Sequence, residues 1–343
     1  MGDSCGDIFT IYVIRINVGF SMILDGKSVL ITGGTGSFGK CFIHTALKTQ
    51  VKKLIVFSRD ELKQFEMGNE IKDQRVDYFV GDIRDKDRLH RAFDGVDCVI
   101  HAAALKQIPS CEYNPFEAIK TNIVGAQNIM EVAIDRGVKR VIALSSDKAV
   151  NPVNLYGATK LCSDKIFVAG NSYTGKKETK FSVVRYGNVI GSRGSVIPSF
   201  LKWQSSGILY ITDARMTRFW ITLEKGVQFV LQSLKMMQGG EIFVPKIPSM
   251  KIVDLAKAIA PECKIDIIGI RPGEKLHEAM ITEDDARYTY EYEDYFIIEP
   301  AFHWWRGNNN GRSNKVAEGF RYSSDLNTEW LAVEDLRRLI CPN

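Results

Sequence analysis

Tyr156 and Lys160 stand four residues apart in Tyr156-Gly157-Ala158-Thr159-Lys160, at the start of a helical pattern that runs on through Leu161 and Ile166. Four residues is one helical turn, so both side chains share a face. The pairing has a chemical use. A phenol with its ordinary pKa of about 10 is a poor base at neutral pH, and an ammonium one turn away favours the phenolate. A tyrosine assisted in this way can take the proton of a hydroxyl undergoing oxidation, and the lysine can also hydrogen-bond a ribose. Shortly before this pair come Ser146, Asp147 and Lys148 in a row. Taken by themselves, Asp147 and Lys148 fit a surface ion pair as well as an acid and a base.

Such a pair needs a redox cofactor, and the chain opens with a cradle for one. The apolar run Ser28–Thr32 leads into Thr32-Gly33-Gly34-Thr35-Gly36-Ser37-Phe38-Gly39, with glycines 33, 36 and 39 in TGxxGxxG spacing. The first glycine turns the chain sharply, the second lets backbone N–H groups approach a pyrophosphate, and the third lets the following helix pack on the strand. A dinucleotide site over Thr32–Gly39 is expected.

The end of the second strand selects the cofactor. NAD enzymes usually place an acid there to bind the ribose hydroxyls. Here the strand ends Phe57-Ser58-Arg59-Asp60. Ser58 with Arg59 suits a 2′-phosphate, and Lys63 adds a second positive charge, so NADP is expected. In the alternative, Arg59 is a solvated surface charge and Asp60 is the ribose ligand. Asp82 and Ile83 follow the third strand, where Asp82 can meet an adenine amino group. Ala102, Ala103 and Ala104 end the fourth strand and leave room for a cofactor against the sheet. Lys106 lies just beyond, toward both cofactor and sugar.

Apolar runs rich in Val and Ile recur at Ser28–Thr32, Leu54–Phe57, Tyr78–Val80, Cys98–His101, Val141–Ser145 and Phe181–Arg185, with helical segments between them. The clearest helix is Phe116–Arg136, stopped by Gly137. Alternation of this kind implies an α/β protein with a Rossmann-type, doubly wound parallel sheet covered on both faces. After about residue 190 shorter strands, helices and Pro- and Gly-bearing loops imply a smaller α/β C-terminal substrate lobe. The expected division is an extension at 1–21, a nucleotide-binding domain at 22–190 that carries the catalytic residues, and a lobe at 191–343.

The chain's 343 residues are 45% hydrophobic and 25% charged with a net charge of +4, which makes no electrostatic case for nucleic acid. Its seven cysteines are odd in number, widely spaced and without CxxC, which fits reduced thiols in a cytoplasmic protein. The five histidines are scattered, so no metal is expected. The apolar stretch Ile8–Phe20 is interrupted by Arg15 and Asn17 and is too short to span a bilayer; Asp3 and Asp7 oppose a signal peptide. Residues 1–21 are read as an extension ahead of Met22, from a mis-chosen start, with a membrane-surface anchor as the alternative.

TGxxGxxG together with YxxxK resembles the extended short-chain dehydrogenase/reductase superfamily. Within it, Ser145-Ser146-Asp147-Lys148-Ala149-Val150-Asn151-Pro152-Val153-Asn154-Leu155-Tyr156-Gly157-Ala158-Thr159-Lys160 resembles the inverting UDP-N-acetylglucosamine 4,6-dehydratases. Relatives acting on dTDP-glucose typically carry Asp-Glu in place of Asp147-Lys148. The membrane-bound retaining enzymes share Asp-Lys but typically replace the tyrosine. The resemblance covers residue 22 to the C-terminus.

It implies that Tyr156 takes the proton of the sugar 4-hydroxyl while hydride passes to NADP, and that Ser146 hydrogen-bonds the 4-oxygen. It further implies that a neutral Lys148 removes the carbon-5 proton and that a protonated Asp147 donates to the leaving 6-hydroxyl. Return of hydride to carbon 6 and of a proton to the opposite face of carbon 5 gives the inverted 4-keto-6-deoxy sugar. By the same resemblance Asn188 and Val189 contact UDP, Thr217, Arg218 and Arg271 serve the diphosphate end, and Glu274 the uridine ribose. The loop Tyr186–Ser195, with its glycines and serines, also suits a phosphate. Lys246 and Lys251 are weaker candidates for the nucleotide end. The resemblance places such an enzyme at the first step of pseudaminic acid synthesis for flagellin glycosylation, as a homo-oligomer of dimers or hexamers. A UDP-sugar 4-epimerase shares cofactor loop and YxxxK without needing Asp147-Lys148. A non-catalytic NADP-binding regulator is the reading from outside enzymes.

Overall fold

The computed structural model describes residues 23–191, 196–302 and 314–340. The extension at 1–21, the Ser192–Ser195 part of the phosphate loop and the Asn- and Gly-rich sequence Gly307–Arg312, expected to be a loop, lie outside the described residues.

The first half alternates strand and helix. In chain order it runs β1 (Ser28–Thr32), α1 (Ser37–Ala46), β2 (Lys53–Ser58), α2 (Glu61–Glu70), β3 (Val76–Val80), α3 (Lys86–Ala92), β4 (Cys98–His101), α4 (Ile108–Tyr113), α5 (Pro115–Ile119), α6 (Gly125–Arg136), β5 (Arg140–Ser146), α7 (Leu155–Gly170), β6 (Lys180–Tyr186) and β7 (Asn188–Val189). The second half continues with α8 (Val196–Gln204), β8 (Ile208–Ile211), β9 (Thr217–Ile221), α9 (Leu223–Met236), β10 (Ile242–Pro245), β11 (Ser249–Lys251) and α10 (Ile252–Ile259). It ends with β12 (Lys264–Ile267), β13 (Ala279–Ile281), α11 (Glu283–Ala286), β14 (Thr289–Glu291), β15 (Tyr295–Ile298), β16 (Tyr322–Ser323) and α12 (Val333–Ile340).

The main sheet has nine strands in the order β14-β15-β10-β6-β5-β4-β1-β2-β3. Strands β3 through β10 in that row are parallel, while β15 is antiparallel to β10 and β14 to β15. β1, β4 and β10 are buried along their whole length, the mark of strands covered on both faces. The chain steps outward from β1 to β3 and then crosses back to β4, so strand order reverses between β1 and β4. In open α/β sheets a ligand crevice lies there, beyond the carboxyl ends of the strands.

The core of this sheet is made by Leu30, Ile31, Phe42, Phe57, Phe167, Phe181 and Phe243, none more than 1% exposed. A separate core of Phe200, Leu209, Ile211, Trp220, Met250 and Leu255 supports the smaller lobe. A division near residue 190 is not clean, because β10, β14 and β15 return to the main sheet. β10 pairs with β6 and covers an edge that would otherwise expose unpaired backbone. The aromatic run Tyr288–Tyr295 supplies the terminal hairpin, with β14 as the edge strand.

The expected single helix over Phe116–Arg136 is interrupted. Between α5 and α6 lies one π turn, Lys120–Val124. Asn122 in that turn is 2% exposed, and its amide brackets Leu105, accepting from the backbone N–H and donating to the carbonyl at 2.8 Å each. It also donates to Thr159 Oγ1 at 2.9 Å, which fastens the loop after β4 to α7. Widened turns of this type recur beside functional sites. Gly137 ends α6 in the left-handed conformation, φ 69°, as its position implied.

Candidate active site

A cleft of about 900 Å³ opens over the carboxyl ends of the parallel strands. Its walls include Gly33, Thr35, Gly36, Ser37, Phe38 and Gly39 from the glycine loop, and Ser58, Arg59, Asp60 and Lys63 from the end of β2. Asp82, Ile83, Ala102, Ala103 and Lys106 line it as well.

The glycine loop is shaped for close approach. A side chain at Gly39 would put Cβ 2.3 Å from the carbonyl oxygen of Gly34, so only glycine lets α1 start this near the turn. Gly36 caps α1 and points the helix N-terminus into the cleft, where it favours an anion. Thr32 has another task. Its hydroxyl accepts from the backbone N–H groups of Ala102 and Ala103 at 3.2 Å each, which leaves its proton for His101 Nδ1 at 2.8 Å. Thr32 therefore ties the tips of β1 and β4 together beneath the cofactor loop.

That hydrogen bond makes His101 Nδ1 an acceptor, hence a neutral ring. Burial, with the Lys160 charge, pushes its pKa down to about 3. The unfolded chain takes up this proton near pH 6.5, whereas the folded chain resists it. Stability conferred by neutral His101 is then complete above pH 6.5 and is lost as pH falls toward 3, by about 1.4 kcal/mol per unit. Urea unfolding of wild type and His101→Gln at pH 7 and pH 5 should show a smaller loss in the variant. Equal losses would remove His101 as the cause.

At the end of β2, Ser58 is buried, and its hydroxyl accepts from Thr35 Oγ1 at 3.2 Å and Gln64 Nε2 at 3.1 Å. Asp60 caps α2 by accepting from the Lys63 N–H at 3.0 Å, and its other oxygen pairs with the Lys63 ammonium. Lys63's charge is thus already matched. Arg59 is 51% exposed, 3.7 Å from Asp82. Burial would raise the Asp82 pKa, but hydrogen bonds from Arg84 and the charges of Arg84 and Arg59 outweigh it and hold the carboxyl below its usual range.

The chain leaves β5 as a single 3₁₀ turn, Asp147–Ala149, and α7 packs directly on it. Gly157 allows this contact, since a Cβ there would lie 2.2 Å from the Lys148 carbonyl oxygen. Asn154 caps α7, accepting from the Gly157 N–H at 2.8 Å. Asp147 is fully buried; its Oδ1 accepts from Ser146 Oγ at 2.7 Å and from Lys148 Nζ at 3.1 Å, while Oδ2 has no hydrogen-bond partner. Lys148 also donates to Asn188 Oδ1 at 3.1 Å. Burial would lower the Lys148 pKa, but the carboxylates of Asp147 and Glu278 overcome it and move it upward. This direction is opposite to that of the neutral Lys148 implied by the resemblance.

Tyr156 is 9% exposed, and burial pushes its phenol up to about 12. The charge of Lys148 and a hydrogen bond with Ser146 act in the opposite direction. Lys160, 4% exposed, donates to the Leu144 carbonyl at 2.7 Å. Burial lowers its pKa, opposed by Asp164. The cation that bears on the phenol here is Lys148, from the preceding turn. Lys106 also faces this group: burial, then the Lys148 charge, lowers its pKa.

The second lobe supplies the opposite wall. Asn188, Val189, Arg218, Arg271 and Glu274 line the cleft with Phe200, Trp203, Tyr210 and Trp220. Arg218 is 7% exposed and its guanidinium donates to the carbonyls of Thr217, Leu276 and Lys275 at 2.7–3.1 Å. Thr217 does not join it. Side chains alternate along a strand, and Thr217 Oγ1 lies on the other face of β9, bonded to His277 Nδ1 at 2.8 Å and Ser324 Oγ at 2.7 Å. Thr217 thus supports the strand from behind, a correction to its expected place in the wall. Lys246 is drawn off to Glu291 at 2.8 Å.

Arg271 lies 3.9 Å from Glu274, whose Oε2 is buried without a hydrogen-bond partner. This loop is clasped to the stretch between β5 and α7: Asn154 Nδ2 donates to the Gly273 carbonyl at 2.8 Å and Lys275 Nζ to the Val150 carbonyl at 2.6 Å. The aromatic wall, this clasp and Glu278 were not singled out from the sequence. Alternation along β9 was the available signal for Trp220 beside Arg218, whereas the position of Glu278 depends on long-range pairing. Among the described residues no helix is long and apolar enough to cross a membrane, and no group of His, Cys, Asp or Glu is placed to hold a metal ion.

A glycine-turned α/β crossover facing a Tyr-Lys helix defines an enzyme of the extended short-chain dehydrogenase/reductase class. The chain belongs to the polysaccharide biosynthesis protein family, whose model matches residues 29–300. It is 56% identical over 324 residues to the UDP-N-acetylglucosamine 4,6-dehydratase (inverting) of Campylobacter jejuni, covering 92% of this chain and 97% of that one. It is 42% identical over 281 residues to the UDP-glucose 4-epimerase of Rickettsia canadensis, covering 79% of this chain and 82% of that one. The X-ray structure of Pen from Bacillus thuringiensis superposes with a TM-score of 0.85 at 38% identity, covering 94% of this chain and 100% of that chain.

Proposed function

We propose that this chain is an inverting UDP-N-acetylglucosamine 4,6-dehydratase with NADP as its resident cofactor. The observation that carries this reading is the Asp147–Lys148 pair, with the carboxylate buried and the lysine half-buried, joined at 3.1 Å beside Tyr156. An epimerase would have no use for a second acid and base there.

The cradle fits a dinucleotide, because the close approach of Gly39 to Gly34 leaves the α1 N-terminus open to a pyrophosphate. A hydroxyl and a guanidinium at Ser58 and Arg59, with Asp60 engaged as a helix cap, support NADP over NAD. When bound, NADP supplies a hydride acceptor that later returns the hydride to the same sugar. Arg218 and Arg271 would hold the diphosphate, Glu274 the uridine ribose, and Asn188 and Val189 the neighbouring part of UDP.

Tyr156 takes the proton of the 4-hydroxyl. Its phenol becomes a base only when further positive charge is brought beside it. Ser146 reaches the 4-oxygen. Lys148 and Asp147 obtain their roles by one proton shift: transfer from Nζ to Asp147 Oδ1 leaves a neutral amine and a protonated acid. The amine then removes the carbon-5 proton and the acid protonates the departing 6-hydroxyl, which leaves as water. Proton return on the opposite face inverts carbon 5. The product would enter pseudaminic acid synthesis for flagellin glycosylation, in the cytoplasm. Exposed Tyr113, Phe116 and Val124 provide apolar surface for a homo-oligomer.

Incubation of the NADP-loaded protein with UDP-N-acetylglucosamine in deuterated water tests this. Mass spectrometry should show loss of water, and NMR should show deuterium at carbon 5 with inverted configuration. A plain 4-epimer, as the Rickettsia relatives' name would suggest, overturns it.

A further inference from the structure

Among the described residues, Glu278 is the one carboxylate in the cleft wall with three cations around it. Its Oε1 lies 3.6 Å from Lys148 Nζ and 3.9 Å from Arg218 Nε, and its Oε2 lies 3.3 Å from Lys275 Nζ. The residue is 2% exposed, so these charges meet with little screening. Its backbone is fixed as well. The Glu278 N–H donates to Ser324 Oγ at 3.0 Å, and the Ser324 N–H donates to the Glu278 carbonyl at 2.7 Å. The strand that follows, β13, pairs with β16. A charge held this firmly cannot follow Lys148 if the lysine moves; it defines where the ammonium rests.

We propose that Glu278 is a positioning residue for Lys148: its fixed, buried carboxylate holds Nζ beside Asp147 and Asn188 and opposes release of the lysine proton. The proposal rests on the reading of Lys148 as the carbon-5 base. The groups that bear on Lys148 are Asp147 from its own turn, Tyr156 from α7, Arg218 from β9, Lys106 from the loop after β4, and Glu278. Asp147 is the partner that receives the lysine proton, so it cannot also be the fixed reference against which that transfer occurs. Glu278 favours the ion pair, and its hold is divided with Arg218 and Lys275. Arg218 is also the proposed diphosphate ligand.

The test needs no turnover. The full-length protein is treated at pH 8 with trace acetic anhydride, and labelling of Lys148 is measured by mass spectrometry relative to exposed Lys139. Below its midpoint an amine reacts in proportion to its neutral fraction. Glu278→Gln should raise relative labelling of Lys148 about tenfold, the effect of one pKa unit. Glu278→Asp, with the charge withdrawn by one methylene, should raise it less. Unchanged labelling in Glu278→Gln overturns the proposal. If that variant does not fold, unchanged labelling in Glu278→Asp overturns it instead. Altered labelling in a protein that never removes water from UDP-N-acetylglucosamine would retire the functional reading and leave the hold of Glu278 on Lys148 standing.

Discussion

Lys148→Met should cut the rate of water loss from UDP-N-acetylglucosamine by about 10²–10⁴-fold, the usual contribution of a positioned proton-transfer group. The methionine keeps length and apolar bulk but removes the amine that contacts Asp147, Asn188 and Glu278. Oxidation at carbon 4 should suffer less. Lys148 is also the cation that opposes burial at Tyr156, so its loss raises the phenol further without removing it. The variant should therefore hold more of its cofactor in reduced form during turnover than wild type does, while incorporating little deuterium at carbon 5. Absorbance of the reduced cofactor and NMR of the product read the two steps separately. Water loss within tenfold of wild type would show that the carbon-5 proton leaves by another route.

Asp164→Ala should lower stability by about 3–5 kcal/mol, as removal of one member of a buried ion pair does. Asp164 Oδ2 accepts from Ser145 Oγ at 2.8 Å and from Arg185 Nη2 at 3.3 Å, with both charged side chains at most 4% exposed. Truncation leaves the Arg185 guanidinium buried, with Asp285 at 3.8 Å as its remaining anion. Asp164 is also the anion that opposes the downward pull of burial on Lys160, so the variant should give up the Lys160 proton more readily. Denaturant unfolding measures the first effect. A loss under 1 kcal/mol would mean that Asp285 or water replaces the missing partner.

Much of the site could be read from local spacing because local spacing builds it. Gly33, Gly36 and Gly39 sit on one turn between a strand and a helix, and Tyr156 and Lys160 sit on one helical face. In both cases the geometry follows from a few consecutive backbone angles. The strands β1, β2, β4, β5 and β6 were legible because burial on both faces writes continuous apolar runs, and the edge strand β3 shows only the shorter run Tyr78–Val80. What spacing does not encode is the meeting of distant segments. Glu278 reaches Lys148 because β13 pairs with β16 and Ser324 fixes its backbone from 46 residues away. The upward pull of Glu278 on the Lys148 pKa follows from that meeting, and nothing in the local sequence signals it. Thr217 failed differently. Its neighbour Arg218 does face the cleft, and the two-residue period of β9 sends Thr217 to the other side.

The return of β10 to the main sheet bears on how the enzyme handles its substrate. The chain leaves the sheet after β6, builds part of the lobe, comes back at β10, leaves again and comes back once more at β14 and β15. A lobe stitched into the sheet at these crossings, and clasped to the Asp147–Asn154 segment by Asn154 and Lys275, would have to break these ties to swing as a hinged half. The wall that meets a sugar is thereby tied to the sheet before any ligand arrives.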